Sequence, residues 1–155
     1  MSEEQNKLAS NDPEGRRPLV YLTRIEQFSA AHRLHNCGWN EEKNRAVFGK
    51  CDHLHGHNYK LEVTVKGPVD GDQTGMVMNI ALLKELIGRS VLSLLDHRNI
   101  DADVPYFAEH ISTSECLAVF IWRQLAAEMP PTVRLHRVKL HETEKNVVEY
   151  CGEFV

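Results

Sequence analysis

The segment HGHNYKLEVTVKG, residues 55–67, decides the fold of this chain, because polar and apolar residues alternate along it from Tyr59 onward. Successive side chains of an extended strand point to opposite faces, so alternate residues share a face. One face of this strand would be apolar, with Tyr59, Leu61, Val63 and Val65. The other face would carry the intervening lysines, glutamate and threonine. A strand with one face in the core and one in solvent is typical of an antiparallel sheet.

The flanking sequence predicts three more strands. LVYLTRIEQFSAAH at 19–32 is rich in aliphatic and β-branched residues and predicts a strand before this one. VRLHRVKLHE at 133–142 and VVEYC at 147–151, joined by a turn, predict a C-terminal β-hairpin. The segment NCGWNEEKNRA at 36–46 is interpreted as a loop, and GMVMN at 75–79 as a short extended piece.

Two helices are predicted between these pairs of strands. Apolar residues recur at intervals of three or four from Ile80 to Leu95, with Asn79 as a plausible N-cap. A second helix starts near Ser112, because Ser112 and Glu115 have the S-x-x-E spacing of a capping box. Strands on either side of two consecutive helices predict an α+β fold, with an antiparallel sheet covered on one face.

Length and composition exclude several classes of protein. The 155 residues, 42 % hydrophobic and 26 % charged, predict one globular domain at 18–155 after a polar, disordered tail at 1–17. No apolar run reaches the roughly 18 residues of a membrane span, and no signal peptide is evident, which favours a cytoplasmic protein with reduced cysteines. A net charge of −4 without a basic stripe argues against a nucleic-acid partner.

The histidines indicate a metal site, since three of the nine lie in the short stretch HLHGH. His55 and His57 would project from the same face of a strand and could meet at one ion. Zinc favours neutral imidazole nitrogens, and catalytic zinc sites combine three protein ligands with an open position. We choose His32 as the third ligand, because antiparallel pairing would bring the end of the first strand beside the start of the next. His35 and His53 remain alternatives.

Two further groups are candidates for catalysis. Cys51 lies in a polar loop four residues before the first histidine of the HxH pair, where it could bind the same zinc. It could also be a thiolate stabilised by Lys50 or a nearby imidazolium. A third interpretation, a small apolar core residue, suits Cys116 on its helix better than Cys51 in a polar loop. In the pair Asp96-His97, the carboxylate could orient a basic imidazole, or the histidine could simply complement the end of a helix dipole.

Glu142 is a candidate for ligand binding, because it continues the apolar face of its predicted strand after Val138 and Leu140. A buried carboxylate needs a partner. That partner could be internal, although a ligand with two adjacent N–H donors would also suit it. Helix capping is enough to explain Glu115 and Thr113.

Eight segments, all in order, resemble the 6-pyruvoyl-tetrahydropterin synthase family. They are FSAAHRLH, FGKC, HGHNYKLEVTVKG, GMVMNIALLK, LDHRNID, DVPYFA, TSECLAVFIW and HETEKNVVEY, and the similarity extends from about Thr23 to Gly152. The resemblance implies the tunnelling fold, a four-stranded antiparallel sheet with two helices on one face. It also implies an oligomeric barrel, in which protomers form trimers and two trimers stack into a homohexamer.

The same resemblance implies roles for individual residues. The zinc ligands would be His32, His55 and His57. The catalytic groups would be Cys51, Asp96, His97 and Glu142, with the thiol and the Asp–His pair contributed by different subunits. Glu142 would also anchor the pterin, and Glu115 and Thr113 would contact it.

The implied activity is that of a phosphate lyase. The substrate would be 7,8-dihydroneopterin triphosphate, converted with zinc to 6-pyruvoyl-tetrahydropterin and triphosphate in tetrahydrobiopterin biosynthesis. The short spacing CDHLHGH instead resembles the bacterial 6-carboxy-tetrahydropterin synthases, which use the same substrate for queuosine precursors. A non-catalytic, zinc-stabilised oligomer that binds pterins is an alternative of a different class. Lys50 and Arg98 are candidates for contacting the triphosphate.

Overall fold

A single mixed sheet forms the framework of the protein in a computed structural model, which describes residues 12–71 and 73–155. Its strands are β1 (Leu19–His32), β2 (His55–Pro68), β3 (Arg98–Asn99), β4 (Arg134–His141) and β5 (Val147–Tyr150). Their order in the sheet is β3-β1-β2-β4-β5, and every pairing is antiparallel except that of β1 with β3. The α+β prediction is confirmed, and the two-residue parallel β3 is an addition that the sequence did not indicate.

The pairing of β1 with β2 determines where the chemistry-bearing residues lie. The two strands pair along their full length, from Leu19 opposite Pro68 to His32 opposite His55. On β2 the predicted apolar face is fully buried, with Tyr59, Leu61, Val63 and Val65 all at 0 % exposure. The histidines of the HxH pair lie on the same alternation, so they extend the row of core-facing side chains toward one end of the sheet.

The described residues also form helices, two of which cover that core-facing side. They are α1 (Glu41–Phe48), α2 (Ile80–Ile87), α3 (Ile100–Asp103) and α4 (Ser114–Glu128). A π turn (Gly88–Leu92) and a final α turn (Ser93–Leu95) continue α2. The long helices α2 and α4 bury their apolar stripes against the sheet, in one core that includes Leu83, Ile87, Leu117 and Ile121. As predicted, the Asn79 side chain caps α2, accepting a hydrogen bond from the Ala81 amide at 2.9 Å.

Three local predictions need correction. The segment around residues 41–48 is a helix rather than a loop, because Asn40 caps it by accepting from the Lys43 amide. The GMVMN segment at 75–79 contains no strand. The predicted Ser112–Glu115 capping box is wrong, since Thr113 is the N-cap of α4 and its hydroxyl accepts from the Cys116 amide at 3.2 Å.

The N-terminal part of the predicted tail, residues 1–11, lies outside the described residues. From Asp12 to Arg16 the chain makes a turn, in which the Asp12 carboxylate accepts from the amides of Glu14 and Arg16. The assignment of one domain to residues 18–155 stays a prediction. Within the described residues, no helix has both the length and the hydropathy to cross a lipid bilayer.

Candidate metal and active site

Three histidines converge at the end of the β1–β2 ladder. One potential ligand atom from each of His32, His55 and His57 lies within 4.8 Å of the others. The ring centroids are 4.6 Å apart for His32 and His55, 5.2 Å for His32 and His57, and 4.9 Å for His55 and His57. A Cβ atom at Gly56 would lie 3.3 Å from the carbonyl oxygen of Ala30, so glycine permits the close approach of the strands here.

Hydrogen bonds to the backbone fix the orientation of two of these rings. His32 Nδ1 donates to the Ser112 carbonyl at 2.7 Å, and His55 Nδ1 donates to the His53 carbonyl at 2.6 Å. The opposite nitrogen of each ring then keeps a free lone pair, as in metal sites whose ligands are held by a second layer of hydrogen bonds. Nε2 of His32 is buried and has no hydrogen-bond partner among the described residues. A buried polar atom without a partner is rare, and a metal ion at this point would supply the missing partner.

The charge state of the rings also suits a metal ion. Burial lowers the pKa of His32, and burial likewise lowers that of His57, partly offset by the nearby Glu142 carboxylate. The neutral imidazole is therefore favoured in His32 and His57, and this is the form that binds zinc. Three nitrogen donors without a thiolate or carboxylate match the protein ligands of an open catalytic zinc site.

The alternative histidines have other contacts. The ring of His35 donates from Nδ1 to Asp52 Oδ1 at 2.7 Å. His53 is exposed and contributes its carbonyl to His55. Within residues 12–71 and 73–155, His32, His55 and His57 are the one group of side chains close enough to hold a metal ion.

Glu142 borders the histidine cluster, just beyond the end of β4. Its Oε2 accepts from the Ser114 hydroxyl at 2.6 Å, and its Oε1 lies 3.8 Å from His57 Nε2. The side chain is 17 % exposed, so it is reachable from solvent on one side. A carboxylate held by one serine still has acceptor positions free for a ligand that presents two N–H groups.

Cys51 lies on a 3₁₀ turn (Gly49–Asp52) between α1 and β2. The turn contacts the segment that follows β1, because the Leu34 amide donates to the Cys51 carbonyl at 2.8 Å. Leu34 is two residues after His32 in the chain. The thiol-bearing turn and the end of β1 that carries His32 are therefore hydrogen-bonded neighbours, and the Cys51 side chain is half-buried.

The Asp96-His97 pair lies on the other side of β1, just before β3. Asp96 Oδ1 accepts from the Ser29 amide at 3.0 Å and lies 3.0 Å from His97 Nδ1, while the His97 amide donates to the Ser29 carbonyl. His97 has φ of 61°, a left-handed conformation that is uncommon outside glycine. Its side chain is 85 % exposed and borders an open cavity of about 450 Å³, which His57 also lines.

The remaining predicted residues lie at the start of α4. Thr113 is its N-cap, and Glu115 is exposed in its first turn. Sequence reasoning missed Ser114 as the partner of Glu142, because a serine beside a helix start is explained by capping alone. It also missed the bond from the Ser112 hydroxyl to Asp101 Oδ1 at 2.6 Å, which supports the carbonyl that holds His32.

Comparisons with known proteins identify relatives of this chain. Residues 21–153 match the family model described as 6-pyruvoyl tetrahydropterin synthase. The chain is 47 % identical over 146 residues to the 6-pyruvoyl tetrahydrobiopterin synthase of Homo sapiens, covering 93 % of this chain and 99 % of that protein. It is 48 % identical over 147 residues to that of Poecilia reticulata, covering 94 % and 98 %.

A solved structure supports the same assignment. The 6-pyruvoyl tetrahydropterin synthase of Caenorhabditis elegans superposes with a TM-score of 0.82 at 40 % identity, covering 88 % of this chain and 97 % of that one. The family match extends over most of the chain and includes every residue of the histidine cluster. This chain therefore belongs to the 6-pyruvoyl tetrahydropterin synthase family.

Proposed function

We propose that this protein is a zinc-dependent phosphate lyase that converts 7,8-dihydroneopterin triphosphate to 6-pyruvoyl-tetrahydropterin and releases triphosphate. The names of its relatives support the activity. The observation that carries the proposal is the convergence of three imidazoles, one with a buried unpartnered nitrogen, beside a serine-held carboxylate.

His32, His55 and His57 would hold the zinc ion. Bound there, zinc would supply Lewis acidity to hydroxyl oxygens of the substrate side chain, which would make the adjacent C–H bonds more acidic. The protein's own contribution at this point is geometric, because the carbonyls of Ser112 and His53 hold two of the rings in one orientation.

Glu142 would anchor the pterin. Its carboxylate would accept hydrogen bonds from two adjacent N–H groups on one edge of the ring, while Ser114 holds it in place. Anchoring the ring would place the side chain of the substrate next to the histidine cluster. Thr113 and Glu115, at the start of the same helix, would contact the pterin from the neighbouring side.

Cys51, His97 and Asp96 would move the proton. The Cys51 thiolate would remove a carbon-bound proton, and His97 would accept it, with Asp96 holding the imidazole through Nδ1 at 3.0 Å. Loss of triphosphate and tautomerisation then give the product without an external redox cofactor. The side chain of His97 is exposed at the edge of the protomer, which suits a group that completes the site of a neighbouring subunit. From the resemblance to the family, we also propose a homohexamer, a dimer of trimers, located in the cytoplasm.

A second candidate is 6-carboxy-tetrahydropterin synthase activity on the same substrate. The observation that favours it is the short connection of three residues between Cys51 and His55. This connection limits the distance between the turn that carries Cys51 and β2, the strand that carries His55 and His57.

The test is incubation of the purified protein with 7,8-dihydroneopterin triphosphate, followed by mass spectrometry of the products. We expect 6-pyruvoyl-tetrahydropterin and triphosphate. The 6-carboxy product would assign the second candidate, and unchanged substrate would contradict both activities. Cys51→Ala should keep zinc and fold but lose most turnover, whereas Cys37→Ala, at an exposed position, is the matched control. Full activity of Cys51→Ala would remove the thiol from the mechanism.

A further inference from the structure

The residue that follows Cys51 is a buried aspartate with two basic partners. Asp52 is 5 % exposed. Its Oδ1 accepts from His35 Nδ1 at 2.7 Å and from Arg33 Nη2 at 3.2 Å, and its carbonyl oxygen accepts from Arg33 Nε. A buried carboxylate is retained only when such donors compensate for its lost hydration. All three contacts join the Cys51 turn to the segment that follows β1.

The same segment is tied to the histidine cluster by a continuous chain of hydrogen bonds. The Arg33 amide donates to Asp101 Oδ2 at 2.6 Å, and the Ser112 hydroxyl donates to Asp101 Oδ1 at 2.6 Å. The Ser112 carbonyl accepts from His32 Nδ1 at 2.7 Å. From Asp52 to His32, each member of the chain therefore contacts the next without a gap.

The Cys51 carbonyl itself accepts from the Leu34 amide, which lies between the two basic partners of Asp52 in the chain. Three side-chain contacts and one backbone bond thus hold a turn of only four residues. A short 3₁₀ turn has poor internal hydrogen-bond geometry and depends on such external contacts for a fixed position.

We propose that Asp52 is a positioning residue, which fixes the Cys51 turn to Arg33 and His35 and thereby sets the approach of the thiol to a substrate bound at the histidine cluster. The role rests on the proposed function, since it concerns the rate of the step that Cys51 performs. It requires no contact between Asp52 and the substrate.

The experiment compares Asp52→Ala, Asp52→Asn and Glu41→Ala in the full-length protein. Asparagine keeps an oxygen at the Oδ1 position, to which both Arg33 and His35 donate, so it is the conservative variant. Glu41, in α1, forms an exposed ion pair with Arg45, so its truncation removes a nearby carboxylate without touching the turn. The readouts are zinc content, kcat and KM for 7,8-dihydroneopterin triphosphate, and hydrogen exchange of the Leu34 amide.

We expect Asp52→Ala to lower kcat by roughly 10- to 100-fold, with KM within about threefold of wild type, because a displaced catalytic group slows chemistry more than binding. Exchange of the Leu34 amide should be about tenfold faster or more, as expected for a locally loosened turn. Zinc content should be unchanged. Asp52→Asn should recover most of the rate, and Glu41→Ala should match wild type.

Active wild-type protein together with unchanged kcat in Asp52→Ala would overturn the role of Asp52 and leave the proposed function standing. Wild-type protein without turnover would overturn the proposed function and the positioning role of Asp52 with it. If Asp52→Ala does not fold, Arg33→Met decides, since it removes both side-chain donors of Arg33 but keeps its amide bond to Asp101. Unchanged kcat in that variant would also refute the proposal.

Discussion

Replacing Ser114 by alanine tests whether Glu142 is held in place for the substrate. The serine hydroxyl donates to Glu142 Oε2 at 2.6 Å, and the serine itself is only 9 % exposed. A hydrogen bond to a charged group contributes about 1.5–3 kcal/mol. Because the Glu142 side chain is 17 % exposed, water can partly replace the hydroxyl, so we use the lower end of that range. A loss of about 1.5 kcal/mol corresponds to a roughly tenfold fall in kcat/KM.

The fall should appear mainly in KM. Glu142 would contact the pterin ring rather than the reacting carbon atoms, so it binds ground state and transition state to a similar extent. Steady-state kinetics with 7,8-dihydroneopterin triphosphate, with zinc content and melting temperature measured on the same samples, separates this effect from unfolding. Ser93→Ala is the matched control, since the Ser93 hydroxyl donates to the Arg89 carbonyl on the exposed side of the continuation of α2.

Refutation would come from a Ser114→Ala protein with normal zinc content and kcat/KM within twofold of wild type. A fall confined to kcat would also contradict the reasoning, because it would place Glu142 among the groups that act only in the transition state.

Three further changes are expected to have measurable effects. In steady-state kinetics, Asp96→Asn should lower kcat roughly 100-fold at normal zinc content, because a neutral amide stabilises the His97 imidazolium less well than a carboxylate does. An unchanged kcat would exclude Asp96 and His97 from proton transfer. Gly152→Ala should lower the free energy of unfolding in urea by about 2–4 kcal/mol, because the backbone has φ of 77° and the new Cβ would clash with the ring of Trp122. A loss below about 0.5 kcal/mol would contradict this packing. The hydrogen bond from His141 lowers the pKa of the Glu62 carboxyl in the folded protein. The ionised carboxylate therefore stabilises the fold at a pH above its unfolded pKa of 4.5, and this contribution is lost as the pH falls through the lower folded pKa. At neutral pH, the free energy of unfolding of wild type should therefore exceed that of Glu62→Gln by roughly 1 kcal/mol, and the difference should shrink in acid. A difference that does not depend on pH would refute this role of the carboxylate.

The histidine cluster was accessible to sequence reasoning because β-strand geometry is strictly periodic. The alternation along β2 placed His55 and His57 on the core-facing side, and antiparallel pairing brought His32 opposite His55. The choice of His32 over His35 depended on the pairing register of β1 with β2, and the structure shows why only the first of these histidines faces the cluster. His35 lies beyond the end of β1, where its ring bonds Asp52.

The helix α1 escaped prediction because it lacks an apolar stripe. Its one buried residue is Asn44, whose side chain donates to the carbonyls of Asn36 and Asn40 and accepts from the Asn36 amide. A helix held by polar contacts of this kind shows no hydrophobic period of 3.6 residues in the sequence. The cap at Asn40 gives no separate signal, because capping residues occur equally in turns.

The supporting contacts of the site could not be read from the sequence, because they join distant segments. Ser114 meets Glu142, Ser112 meets Asp101, and Arg33 meets Asp52, in each case through side chains that have an ordinary local explanation. The misplaced capping box shows the limit most clearly. After a shift of one residue, the Thr113 hydroxyl caps the helix, whereas the Ser112 hydroxyl bonds Asp101 and the Ser112 carbonyl holds the ring of His32.

Zinc content, measured by elemental analysis of purified wild type, His55→Ala and His53→Ala, tests the three-histidine site most directly. His53→Ala is the matched control, because His55 is held by the backbone carbonyl of residue 53 and not by its side chain. We expect about one zinc per chain in wild type and in His53→Ala, and a loss of most of the metal in His55→Ala. Stoichiometric zinc in His55→Ala, or none in wild type, would contradict the assignment of the site.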